Sequence, residues 1–208
     1  MSMICTVLGI SPSIVAAIRE KPMMASALAQ NPGGASIALV DKAESLLARM
    51  PPEQQEIVKA RLAAVRAQLE AQGGAAAPSP QTQGLEPPLD LHKSWHLLHY
   101  VFSGRVDDAP PPEGELMGGE AMGQDLGYGP PHLHDVAATR TFADFLAAQT
   151  VDALQARIDL DKMDDIYVYG GLDDEEEIRD DLEHFFPRLR DYVVAMADKG
   201  YGLLIWLS

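Results

Sequence analysis

The apolar positions of this chain form strand-like runs at both termini and helical stripes between them. Met3-Ile4-Cys5-Thr6-Val7-Leu8 is apolar at nearly every position, as expected of a strand covered on both faces, and Gly9 ends it. Gly202-Leu203-Leu204-Ile205-Trp206-Leu207 has the same character at the other end. Ser11-Pro12-Ser13 carries the N-cap and N1-proline chemistry of a helix start, with Ile14, Val15 and Ile18 on its apolar side and a stop near Pro22. Ile37, Val40, Ala43 and Leu47, then Val58, Leu62, Val65 and Leu69, keep helical time on either side of Pro51-Pro52 and predict a helical hairpin over residues 36–72. Residues 73–88, rich in Ala, Pro, Gln and Gly, bury too little to fold alone and read as a linker.

The second half is denser. Leu91, Trp95, Leu98 and Phe102 recur as one face of a helix opened by Asp90 and closed by Ser103-Gly104. Residues 107–131 hold five prolines and six glycines and predict a long irregular segment, with a short strand around 115–122. Val136, Phe142, Phe145 and Leu146 form the stripe of a helix over 135–149, and Thr150 caps another bearing Val151, Leu154 and Ile158. Ile166-Tyr167-Val168-Tyr169 is a β-prone run before Gly170-Gly171. Ile178, Leu182, Phe185, Leu189, Val193 and Met196 mark the longest helix, opened by the carboxylates of residues 173–177 and expected to kink or break at Pro187. Strands at both ends with helices between them predict a single α+β domain over residues 1–208, its mixed sheet including the terminal strands and carrying the inserted hairpin.

Composition narrows the function classes. The formal charge of −15 repels phosphate backbones and anionic membranes, so neither nucleic acid nor membrane is expected as a partner. Residues 159–191 carry thirteen Asp or Glu against four Lys or Arg. The solvent-facing carboxylates Glu175, Glu176, Glu177, Asp180 and Asp181 suit either solubility or a basic protein partner. The N-terminus lacks the basic flank and long apolar run of a secretory signal, which makes the cytoplasm the expected location. Cys5, the single cysteine, sits in the first apolar run and reads as a core thiol.

Candidate chemistry centres on histidine. His92, His96 and His99 stand at i, i+4 and i+7, so on one helix about 10 Å of rise separates the first from the last and one ion can take only two of them. His132 or His134 is the available third ligand, and zinc held in this way would make a metal-assisted hydrolase. No glutamate stands beside the pair as general base. Asp159, Asp161, Asp164 and Asp165 miss the spacing of a calcium loop, and Gly118, Gly119, Gly123, Gly127 and Gly129 lack the Lys-Ser/Thr ending of a phosphate loop. The preferred site is a cleft framed by Trp95, His96 and His99 on the helix and by Tyr128, His132 and His134 after the glycine-rich turn, with no cofactor expected.

Asp90, Lys93, Trp95, Leu98, His99 and Ser103-Gly104 together resemble the D-x-x-K-x-W-x-x-L-H…[ST]-G signature of the YfbM-like family, a bacterial domain of unknown function. Met1-Ser2-Met3-Ile4, Leu126-Gly127-Tyr128-Gly129-Pro130, Asp161-Lys162-Met163 and the terminal strand follow in the same order, so the resemblance covers about residues 1–20 and 89–208. It implies a compact α+β fold, places the 36–88 region as an elaboration, and carries no activity. It also shifts weight to Trp95 and His99, because His92 stands where the family pattern is acidic and position 96 varies. The expected function is therefore a non-catalytic binding or protein-interaction module with an acidic surface. The alternatives are the metal-assisted hydrolase and an immunity-type neutraliser of a basic toxin.

Overall fold

The computed structural model describes residues 3–32, 84–165, 168 and 174–208, all within the unit formed by Met1–Pro32 and Gly84–Ser208. The hairpin expected over 36–72, the 73–83 part of the linker and the β-prone run apart from Val168 lie outside the described residues. In chain order the elements are β1 (Cys5–Ile10), α1 (Pro12–Glu20), α2 (Met23–Gln30), β2 (Leu89–His92), α3 (Trp95–Ser103), β3 (Glu120–Ala121) and β4 (His132–His134). They continue with α4 (Val136–Ala147), α5 (Val151–Gln155), α6 (Leu160–Asp165), α7 (Glu175–Asp198) and β5 (Gly202–Leu207).

The terminal strands pair with each other, Cys5 opposite Leu207 through Ile10 opposite Gly202. They occupy the middle of a five-stranded sheet of order β2-β1-β5-β4-β3. Their unbroken apolar character has a simple cause. Cys5, Val7, Leu203 and Ile205 face a core built with α3, α4, α5 and α7, whereas Leu8, Ile10, Leu204 and Trp206 face a second core closed by α1 and α2. Both faces are thus buried, as expected for central strands.

The fold is the expected α+β class, but every strand pairing is antiparallel, which corrects the mixed sheet. An apolar run reports burial on two faces and says nothing of strand direction. Two further corrections concern local structure. Residues 84–88 do not act as linker, because Leu85 bridges to Ile10, Glu86 N–H donates to the Gly9 carbonyl at 2.9 Å and Lys199 pairs with Glu86 at 2.8 Å. Helix α7 runs unbroken through Pro187. The carbonyl that proline leaves without a partner belongs to Glu183, an exposed residue where water can serve it.

Helix α4 shows how capping sets a boundary beside the site. Asp135 Oδ1 accepts from the N–H groups of Ala137 and Ala138, each at 3.0 Å, fixing the helix start directly after β4. Asp135→Ala is expected to lower stability by about 1 kcal/mol in urea unfolding, and Asp135→Asn to recover most of that loss.

Candidate functional site

The histidine line crosses a strand-to-helix junction. Leu89, Asp90, Leu91 and His92 alternate buried and exposed as strand β2, and His92 ends it with φ 49°. Asp90 Oδ1 accepts the His92 N–H at 2.7 Å, an Asx turn in place of the expected helix cap. The helix begins only at Trp95, so His92 is exposed and apart from the other two histidines. The period of two in Leu89 and Leu91 was the signal for this, hidden by the coincidence of helical spacing.

Helix α3 is buried all round from Trp95 to Phe102. One side packs on α5 and α7, and the histidine side is covered by the chain that follows Gly104. His96 Nε2 lies 3.0 Å from the Val106 carbonyl and His99 Nε2 lies 2.8 Å from the Asp107 carbonyl. A carbonyl only accepts, so both rings carry their proton on Nε2. The His96 ring stacks on Trp95 at 4.8 Å and lies near-parallel to His99 at 6.4 Å. Burial lowers the pKa of both imidazoles, partly offset by those carbonyl contacts.

Strand β4 brings in the other pair. His132 and His134 stand opposite Ile205 and Leu203, on the sheet face that α3 covers. His134 Nδ1 lies 2.6 Å from Glu115 Oε2, with both side chains buried. Neither His134 nitrogen has a well-directed hydrogen bond, and the Nδ1 atoms of His99 and His132 are buried without a partner. Burial, then the neighbouring His134, lowers the His132 pKa. Asp108 acts electrostatically on both His99 and His132, raising their proton affinity against the effect of burial.

Beside Glu115 and Gly119 is a cleft of about 280 Å³, bounded also by Arg19, Ala109, Glu120 and Asp135 among others. Arg19 spans it, pairing with Glu120 at 3.2 Å and Asp135 at 3.1 Å. The Ala138 N–H, and after it the Arg19 guanidinium, hold the Asp135 carboxyl below the usual carboxylate range. Gly119, at φ 98°, lies so close to the His134 ring that a Cβ there would sit 2.7 Å from Nε2. None of the predicted histidines lines the cleft, Trp95 is core, and the half-buried Tyr128 is outside the lining. Arg19, Glu115 and Glu120 were missed because Arg19 sits at a helix end, Glu115 in a turn and Glu120 in a two-residue strand, where no periodicity marks them.

The five acidic residues of α7 divide by use. Glu175 pairs with Arg179 at 2.6 Å, and Asp181 accepts from Ser94 Oγ at 2.6 Å. Glu176, Glu177 and Asp180 are exposed. For metal, no group of three suitable side chains exists among the described residues, and the Nε2 atoms of His96 and His99 already face carbonyls.

The fold resembles that of YfbM from Escherichia coli, a protein of unknown function, with 14% identity, a TM-score of 0.58 and 99% of each chain covered. No curated protein matches the chain. A family model matches residues 1–206, including the 21–88 stretch that the sequence resemblance left out, and the chain belongs to that family, the domain of unknown function DUF1877.

Proposed function

We propose that this protein is a non-catalytic, cytoplasmic interaction module that docks a basic protein partner on the first turns of α7. The observation that carries this reading is the contrast between the two candidate surfaces. His96, His99 and His134 are turned inward, where His96 and His99 hold loop carbonyls and His134 meets Glu115. Glu176, Glu177 and Asp180 instead face solvent, in a ten-residue stretch from Asp174 to Glu183 whose one basic side chain, Arg179, is taken by Glu175. Carboxylates grouped in this way raise association rates for cationic surfaces and fix orientation more than they add raw affinity. A basic toxin neutralised by occlusion of its cationic cleft is one partner of this chemistry.

The test is affinity capture from the native host, followed by titration of the purified captured protein against wild type and against the triple variant Glu176→Lys, Glu177→Lys, Asp180→Lys. The reading expects binding that weakens with salt and falls about 100-fold in the triple variant. A captured partner that binds the triple variant as well as wild type, with no salt dependence, removes α7 from the interface.

A further inference from the structure

Residues 105–113 form a polar strap of Arg105, Asp107, Asp108 and Glu113 with three consecutive prolines and no regular structure. The strap borders two cavities. Ala109 and Pro111 line the 280 Å³ cleft, and Glu113, beside Gly104, lines a groove of about 570 Å³ that Tyr100 and Arg157 also border. What joins the strap to the α3 surface is mainly imidazole. His96 donates from Nε2 to the Val106 carbonyl and His99 donates from Nε2 to the Asp107 carbonyl, one residue further on. Arg105 binds within the neighbourhood only, its backbone N–H to Ser103 Oγ at 3.1 Å and Nη1 to the Asp108 carbonyl at 3.3 Å.

This fastening works for neutral imidazoles. With Nε2 committed to a carbonyl, a second proton enters at Nδ1, and on His99 and His132 that atom is buried with no acceptor. The charged groups around these histidines do not supply one. Asp107 and Asp108 of the strap act on His99 from a distance, and Asp108 on His132, while the neighbouring histidines oppose further charge. Glu115 is engaged with His134, and Glu120 and Asp135 with Arg19. On the elements packed against α3, Asp181 is bonded to Ser94, Arg157 to the Val101 carbonyl, and Lys162 lies over Tyr100.

We propose that residues 105–113 are an acid-released strap along the walls of the two cavities, fastened at neutral pH by His96 and His99 and let go when these imidazoles and that of His132 take up protons. The direction follows from linkage. In the fastened form His96, His99 and His132 bind protons less readily than the ordinary value of 6.5. Above that value both forms are neutral and the strap stays closed. As pH falls below it, the released form, with hydrated imidazoles, binds more protons, and the closed-to-released ratio drops by about tenfold per pH unit for each histidine involved. The inference is independent of the α7 docking face and gives the strap a condition under which it leaves the cavity walls.

Nuclear magnetic resonance on the full chain tests it directly. Ring-nitrogen spectra are expected to show His96 and His99 as Nε2–H tautomers at about pH 7.5, titrating below the ordinary histidine range. Order parameters over 105–109 and 113 are expected to fall from about 0.85 to below about 0.6 at the same midpoint, while β1 and β5 stay rigid. The double variant His96→Gln, His99→Gln keeps an N–H donor in each position without the titration, and its strap is expected to hold its order down to about pH 5.5. The proposal is overturned if the strap stays ordered while the wild-type rings titrate, or if it loosens only together with β1 and β5. Loosening of a folded Gln variant at the wild-type midpoint overturns it equally. Should the Gln variant not fold, coincidence of ring and strap midpoints in wild type decides alone.

Discussion

Glu115→Ala is expected to lower the free energy of unfolding by about 3–5 kcal/mol, a loss read as a shift of the urea midpoint at constant slope. Glu115 retains only 7% side-chain exposure and His134 none, and the two side chains meet at 2.6 Å beside the cleft. Removing the carboxylate leaves the imidazole in a buried site between β4 and Gly119, where neither ring nitrogen has another partner. The same logic makes the cost conditional on the partner. Replacing both groups by apolar residues, Glu115→Leu with His134→Phe, removes the orphan together with the pair, and the double variant is expected to be more stable than Glu115→Ala alone. A cost below about 1 kcal/mol for Glu115→Ala would mean that water reaches the pair.

Most of the scaffold was legible in the sequence because central strands and amphipathic helices leave periodic marks. The apolar runs of β1 and β5 stated that both faces are covered, and the two cores on either side of the sheet are the reason. Thr150 marked a helix start through capping chemistry, and its side chain accepts the Ala153 N–H there. Where pattern failed, two structures competed for one spacing. Leu89 to His92 fits a strand of period two, yet His92 also stands four residues before His96, and the tertiary pairing of Thr6 with Asp90 and Val7 with Leu89 settled the choice. Helix α2 went unread because Met23–Gln30 carries small residues in place of a broad stripe.

The site was less legible for a physical reason. Its histidines could be listed from the sequence, but their roles depend on which atoms cover them. Val106, Asp107 and Glu115 lie in an aperiodic segment, so nothing local announces that their carbonyls and carboxylate meet imidazoles. The family motif therefore marks a packing junction. Trp95 and His99 sit at adjoining turns of a helix whose whole surface is covered, the indole in the core and the imidazole beneath the strap.

Trp95→Ala is the sharpest test of that junction and is expected to cost about 3–5 kcal/mol through lost transfer energy and the cavity left behind. The indole is 2% exposed, packs in the core shared with Leu91, Leu98 and α7, and donates from Nε1 to the Met3 carbonyl at 3.3 Å. It thereby joins three distant parts of the chain, the lead-in to β1, the start of α3 and the long C-terminal helix. Trp95→Phe keeps an aromatic body and loses the N–H donor, so a smaller cost of about 1–2 kcal/mol is expected. The two variants also differ at His96, whose ring stacks 4.8 Å from the indole. Alanine removes the surface that holds this imidazole toward Val106, and the strap is then expected to loosen at neutral pH; phenylalanine keeps a stacking partner and should leave it closed. Equal strap order in both variants would separate the core role of Trp95 from any role in holding His96.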